Sequence, residues 1–123
     1  MGAGHPLDIV HAIREGIDVF DSAYPTISAR HNGIFTREGL LDIGKAKSAG
    51  EGPLDPACGC WVCKTHSRKY IRHLSKREEA SGHILKSYHN IYYILRLVER
   101  AREAIREGSY EAFAEEVVRA YEE

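Results

Sequence analysis

The chain is poor in cysteine, nearly neutral, and without a long apolar run. Its three cysteines among 123 residues are too few, and odd in number, for a disulfide framework. All three fall between Cys58 and Cys63, so none is left for a bridge elsewhere, and Cys58 and Cys60 are too close along an ordinary backbone to pair with each other. No stretch approaches the ~20 apolar residues of a membrane-spanning helix, and no secretory signal pattern is present. The Met1-Gly2 start has Pro6 where N-myristoylation wants a hydroxyl. Lys plus Arg number 17 against 18 Asp plus Glu, a formal charge of -1, so charge totals argue neither for nor against nucleic acid; local patches decide. Internal repeats and low-complexity segments are absent. The length is one domain's worth, or a piece of a larger one, and unpaired cysteines fit a reducing, cytoplasmic setting.

What is present is concentrated. Cys58-Gly59-Cys60-Trp61-Val62-Cys63 is a C-x-C-x2-C set. Three thiolates held on one short loop, with one imidazole, make a closed tetrahedral site for Zn²⁺. Three free thiols are the alternative. Of the 7 histidines, His66, His73, His83 and His89 follow the cysteines. His66 is near enough if the loop folds back. His89 lies in the most regular helical pattern of the chain, beside a face formed by Ile84, Tyr88, Ile91, Leu95 and Val98. Spacing leaves both open, with His89 favoured slightly.

Along the chain, Pro6 and Asp8 suit the first turn of a helix carrying Leu7, Ile9, Val10 and Ile13, which Gly16 ends. Ile17 to Ala23 reads as a strand, with Asp21 at its carboxyl end, either a cap for the following turn or a catalytic carboxylate. Ser28 to Gly33 reads as a polar loop turning at Asn32-Gly33. Ile34–Thr36 and Leu40–Ile43 read as a hairpin through Glu38-Gly39, and Lys45 to Pro53 as a charged connection. Ser67 to Arg77 is basic: Arg68, Lys69, Arg72, Lys76 and Arg77 suit either phosphates or a solvated helix face, with Tyr70, Ile71 and Leu74 on the apolar side. A long helix is expected over about Gly82 to Glu107, ended by Gly108. Ser109 is placed to cap a last helix that buries Tyr110, Phe113, Val117 and Tyr121.

A set of segments resembles the tRNA-guanine transglycosylases, or queuine tRNA-ribosyltransferases. It runs through Met1-Gly2-Ala3-Gly4, Gly16 to Asp21, Pro25-Thr26, Ala29-Arg30, Phe35-Thr36 and Pro53 to Pro56. It continues with the three cysteines, Ser67-Arg68, Tyr70 to Leu74 and His89-Asn90-Ile91. The likeness covers nearly the whole chain and corresponds to the carboxyl-terminal third of that family. It implies an α/β fold: residues 1–36 as the last two βα units of a (β/α)8 barrel, 37–57 as hairpin and linker, and 58–123 as a mostly helical zinc-binding subdomain. It also implies that His89, the first of a His-Asn pair, completes a structural Zn²⁺ site with Cys58, Cys60 and Cys63.

Position by position, the resemblance makes Asp21 the nucleophile that attacks the anomeric carbon of the tRNA wobble guanosine before a 7-deazaguanine base displaces it. Met1 and Gly2 fall at the base pocket, and Arg30 at the anticodon loop. Two departures stand out: Ile27 replaces a usual second arginine, and Ser22-Ala23 replace the Cys-Val usual in bacterial and eukaryotic members. Six barrel strands are absent from the likeness. A chain so limited is expected to need an amino-terminal barrel polypeptide or a partner subunit, and to form homo- or hetero-oligomers. Alone it is expected to be inactive. The alternatives are a non-catalytic zinc module for tRNA binding or dimerisation, and a zinc-stabilised interaction domain unrelated to RNA. Ile9, Val10, Ile13, Ile17, Val19 and Phe20 are expected to be covered by another polypeptide or to be mobile.

Overall fold

The computed structural model describes residues 2–122, so the Met1 assigned above to the base pocket lies outside the described residues. Six α-helices are present among them: α1 (Pro6–Arg14), α2 (Tyr24–Arg30), α3 (Trp61–Thr65), α4 (Arg68–Lys76), α5 (Ala80–Glu107) and α6 (Tyr110–Tyr121). One hairpin, β1 (Gly33–Thr36) and β2 (Gly39–Asp42), and a 3-10 turn at Ala46–Ser48 lie between α2 and α3. No helix among the described residues is long and apolar enough to cross a membrane.

Local chemistry accounts for most element ends. His5 accepts from the Leu7 amide through its ring and caps α1, and Pro6 opens the helix. The hairpin pairs Gly33 with Asp42 and Thr36 with Gly39, leaving a two-residue loop that the Thr36 hydroxyl fastens by donating to the Gly39 carbonyl at 2.6 Å. Gly108 ends α5 in the left-handed region at φ 73°, with backbone bonds back to Ala104 and Ile105. Ser109 occupies the cap position of α6, but its hydroxyl makes no capping bond; its carbonyl accepts from Phe113 instead.

The 28-residue α5, about 42 Å long at 1.5 Å per residue, is the spine of the molecule. Its carboxyl-terminal half joins α1 and α6 in one core, where Ile9, Val10, Leu97, Ala101, Phe113 and Val117 are buried. Its amino-terminal half lies beside a second core of Ile34, Ile43, Leu54, Cys60, Val62 and Ile71, against which Leu85 and Tyr92 pack. Tyr110 and Tyr121 of α6 are half-buried and act through their hydroxyls, donating to the Val10 carbonyl at 2.6 Å and the Thr36 carbonyl at 2.8 Å. On α4, Ile71 and Leu74 are buried, whereas Tyr70 is largely exposed.

Four expectations are corrected. Ile17 to Ala23 forms no strand, because a strand needs a neighbour to bond: Asp21 receives one backbone bond, from the Gly2 amide at 2.7 Å, and no ladder forms. Of the polar loop expected over Ser28 to Gly33, the turn at Asn32 is present, but Ser28 to Arg30 close α2, which begins at Tyr24, whose amide donates to the Ser22 hydroxyl, and is held by buried Ser28 and Ala29. Ile9 and Val10 need no outside cover, since α5 and α6 bury them; Ile17 and Val19 remain exposed, Val19 by 83%.

The fourth correction concerns α5. The stripe of Ile84, Tyr88, Ile91 and Leu95 faces outward, Ile84 by 66%, while Lys86, His89 and Asn90 are fully buried. Burial lowers the Lys86 pKa, and its ammonium donates to Asn32 Oδ1 at 2.9 Å.

Two outcomes follow. Leu97→Ala is expected to cost about 2–5 kcal/mol, and Ile84→Ala within about 0.5 kcal/mol, in urea unfolding at equal m-value; equal costs would contradict the outward stripe. A cation with a depressed folded pKa destabilises below that pKa, and the loss is recovered as pH rises towards its unfolded value near 10.4. The stability difference between Lys86→Met and the wild type is therefore expected to shrink as pH rises through that window, measured by parallel denaturation series.

Candidate metal centre

Cys58, Cys60 and Cys63 reach one point because the loop that carries them is folded from both ends. Asp55 is buried; its two carboxylate oxygens accept from the Arg37 and Ala57 amides at 2.9 and 3.0 Å, and its carbonyl accepts from the Cys58 amide. On the other side the loop runs into α3, where the Cys60 sulfur accepts from the Cys63 amide at 3.4 Å and caps the helix. The Cys58 sulfur accepts likewise from the Cys60 amide. These amide bonds favour the thiolate forms that a metal requires.

His89 arrives from α5. Its Nδ1 lies 3.8, 3.6 and 3.3 Å from the sulfurs of Cys58, Cys60 and Cys63, and all four ligand atoms lie within 4.8 Å of one another. A tetrahedral Zn²⁺ with bonds of about 2.3 Å to sulfur and 2.0–2.1 Å to nitrogen sets sulfur-to-nitrogen edges near ~3.6 Å. The residues fit the ion. Nε2 of His89 donates to the Phe35 carbonyl at 2.7 Å, which leaves Nδ1 with its lone pair towards the sulfurs. His66 is not in the group. Its ring stands edge-on to Trp61 and stacks on Tyr70, so geometry decides between the two histidines.

The protons of this cluster are shared. Hydrogen bonds from Cys58 and Cys63 pull the Cys60 thiol well below its ordinary range against the effect of burial, while those with Cys58 and Cys60, together with burial, push Cys63 up. Burial disfavours a charged His89 ring, but the Cys58 and Cys60 sulfurs and the Phe35 carbonyl outweigh it and raise its pKa to about 9. A bound ion must displace these protons, so affinity falls as pH falls.

Beside His89, Asn90 is a residue that the sequence pattern did not single out as a spatial tie. Its amide nitrogen donates to the Pro25 and Gly33 carbonyls at 3.0 and 2.9 Å, and its oxygen accepts from the Phe35 amide at 3.0 Å. In the sequence Asn90 stands out only as the second member of the His-Asn pair within the family resemblance. Together His89 and Asn90 fasten α2 and β1 to the metal loop.

The remaining residues singled out from sequence lie on that fastened part. Asp21 is exposed, and its carbonyl is bonded to the Gly2 amide, so Gly2 and Asp21 are neighbours. Gly4 packs so closely on Ser22 and Tyr24 that a side chain on it would collide with both. Arg30 is exposed at the last residue of α2, with Ile27 one turn earlier, also exposed. No bond joins Arg30 to Asp21 among the described residues.

One Zn²⁺ per chain is expected by atomic spectroscopy of the purified protein. His89→Ala should lower that content severalfold and reduce α5 helicity by circular dichroism, and acidification should release the ion. Full zinc content in His89→Ala would contradict the ligand set.

A family model described as "Queuine tRNA-ribosyltransferase" matches residues 1–123. A queuine tRNA-ribosyltransferase of Fusobacterium nucleatum subsp. nucleatum is 45% identical over 123 residues, covering 99% of this chain and 33% of the relative. Its counterpart in Halothermothrix orenii is 45% identical over 122 residues, covering 98% of this chain and 33% of that relative. One from Bacillus thuringiensis is 46% identical over 122 residues, with 98% and 32% covered. The chain thus spans about a third of the length of the curated relatives it matches. A match along the whole chain, carried on a Cys3His group of tetrahedral dimensions, establishes that it belongs to the queuine tRNA-ribosyltransferase family.

Proposed function

We propose that this chain is the carboxyl-terminal part of a tRNA-guanine transglycosylase acting in the cytoplasm. In this reading residues 1–36 close a barrel supplied largely by another polypeptide, 37–57 link, and 58–123 form the zinc subdomain. The reaction exchanges guanine at the tRNA wobble position for a 7-deazaguanine base. An Asp21 carboxylate oxygen bonds to the ribose anomeric carbon as the carbon–N9 bond breaks, and the electron pair leaves with guanine, which takes up a proton. The incoming base then loses a proton from its own ring nitrogen, bonds to the same carbon and releases the Asp21 carboxylate. Two displacements at one carbon retain its configuration. Met1 and Gly2 border the base, and Arg30 meets the anticodon loop, where Ile27 offers no charge. Cys58, Cys60, Cys63 and His89 hold the Zn²⁺, which organises the fold and takes no part in the exchange.

The observation that supports the reading is the Gly2–Asp21 backbone bond of 2.7 Å in a chain of this family: the residue assigned here to the base pocket is a neighbour of the one assigned here as nucleophile, which is exposed. A cleft of about 350 Å³, with Ile13, Ile17, Phe20, Val98 and Ile105 beside Asp18, Arg102 and Arg106, offers the complementing polypeptide a mixed apolar and charged seat. A second reading, a non-catalytic module for tRNA binding or dimerisation, is favoured by a different surface. Trp61, Tyr70 and Tyr88 are exposed, Trp61 touching Tyr88 directly and Tyr70 through the His66 ring, and with Ile84 and Leu95 they offer an apolar face for a second subunit.

The purified chain alone is expected to incorporate no labelled guanine into tRNA, since a nucleophile without its acid–base partner lacks a productive geometry. Joined to a barrel polypeptide of a relative, it should exchange guanine, and Asp21→Ala should abolish the exchange. Exchange that survives in Asp21→Ala would overturn Asp21 as the nucleophile, and exchange that never appears although RNA is bound would favour the second reading.

A further inference from the structure

Three arginines meet where the hairpin turn, the cysteine loop and α5 join. Arg37 comes from the turn between β1 and β2, and Arg96 and Arg100 stand about one helical turn apart on α5. With Gly59, Tyr92 and Tyr93 they line a cavity of about 80 Å³. Asp55 is the single carboxylate in its wall, and both of its oxygens are already taken by the Arg37 and Ala57 amides. Among the described residues no ion pair joins Asp55 to any of the three guanidinium groups.

Two of these cations are held in place from outside. Arg100 donates from Nη2 to Glu116 at 3.2 Å, and its guanidinium lies 5.0 Å from the centre of the Phe113 ring. Arg96 donates from Nη1 to Glu99 at 2.7 Å. Each pairing uses one of about five N–H donors on the fork. The Glu99 and Glu116 carboxylates are 57% and 52% exposed, so the pairs sit in water and neutralise little. Arg37 is exposed, and its side chain makes no hydrogen bond or ion pair among the described residues. Burial pushes the Tyr93 pKa up, against the pull of Tyr121, Arg100 and Arg37, so its phenol stays protonated. The Tyr92 hydroxyl lies over Gly59, 3.4 Å from where a side chain on that glycine would begin. Like charges gathered in a partly enclosed space repel, and an anion between them removes that cost.

We propose that this cavity binds a phosphate dianion, as the free ion or as the head of a small monoester. The inference is independent of the transglycosylase reading. The space takes about five to eight waters, enough for one tetrahedral oxyanion and too little for a nucleoside. Guanidinium forks match phosphate oxygens in pairs. A monoester presents three terminal oxygens and a charge of about -1.5 to -2 at neutral pH. A diester offers fewer oxygens and a single charge, and it must pass two chains through the mouth. Beside the cavity an open depression of about 540 Å³, with Tyr92 and Leu95 in its wall, gives the organic group of a monoester a place to lie.

The test is isothermal titration calorimetry of the zinc-loaded full chain at low salt, with inorganic phosphate, phenyl phosphate and dimethyl phosphate as probes. Phenyl phosphate should bind in the low millimolar range or tighter, and the diester at least about tenfold more weakly. Phenyl phosphate favoured over the free ion by about threefold or more marks a monoester as the ligand; equal affinities mark the ion itself. Binding should weaken as pH falls through about 6, where the dianion takes up a proton. Arg37→Ala and Arg96→Ala remove exposed side chains, so both should fold with unchanged zinc content and helicity. Each should weaken binding at least about fivefold, while Lys76→Ala on α4 should leave it unchanged. A wild-type chain that binds neither phosphate probe overturns the site. So does a diester bound as tightly as the monoester, or a loss in Arg37→Ala no larger than in Lys76→Ala.

Discussion

The fold hangs on one imidazole. His89 sends Nδ1 to the three sulfurs and donates Nε2–H to the Phe35 carbonyl, so a single fully buried ring joins the cysteine loop, the spine helix and the hairpin. Structural zinc sites contribute about 10–16 kcal/mol in small peptides at neutral pH. Domains of this size keep a net margin of only about 5–15 kcal/mol. The ion is therefore comparable to the whole margin. This matters in a chain whose buried side chains are split between two modest clusters.

The spine helix is built for that arrangement. Along its amino-terminal half it turns polar groups inward: Lys86 to Asn32, His89 to the sulfurs, and Asn90 to three backbone groups of α2 and β1. Each buried polar group costs free energy unless satisfied, and here the partners are backbone atoms of the segments being positioned. Further along, Leu97, Ala101 and Ala104 pack conventionally against α1 and α6. The proposed nucleophile Asp21 lies three residues before α2, so the element that holds the metal also sets the approach to Asp21.

The metal centre was legible because chemistry at short range dictates it: three sulfurs on one loop have few other uses. The hairpin, α1 and the end of α5 were legible for similar reasons, through the tight turn, Pro6 and Gly108. The orientation of α5 was not. Its apolar stripe reads as a core face by periodicity, yet Ile84, Tyr88 and Leu95 look outward, because the helix must present His89 and Asn90 to the loop and hairpin. Ile17 to Ala23 has strand composition, but its backbone bonds are one to Gly2 and one at each end to the flanking helices, and composition cannot supply a ladder. The cover over Ile9 and Val10 comes from α6, a hundred residues further on, which no local pattern reveals.

If the His89 ring is the common support, removing zinc must loosen places far from the cysteines in sequence. Hydrogen exchange followed by mass spectrometry, with and without a chelator, reads this directly. Chelation should collapse protection together in residues 58–65, in the hairpin 33–42 and in α2, while the α1–α6 core keeps more of its protection. Exchange that rises only between Cys58 and Thr65, with the hairpin and α2 unchanged, would contradict the account.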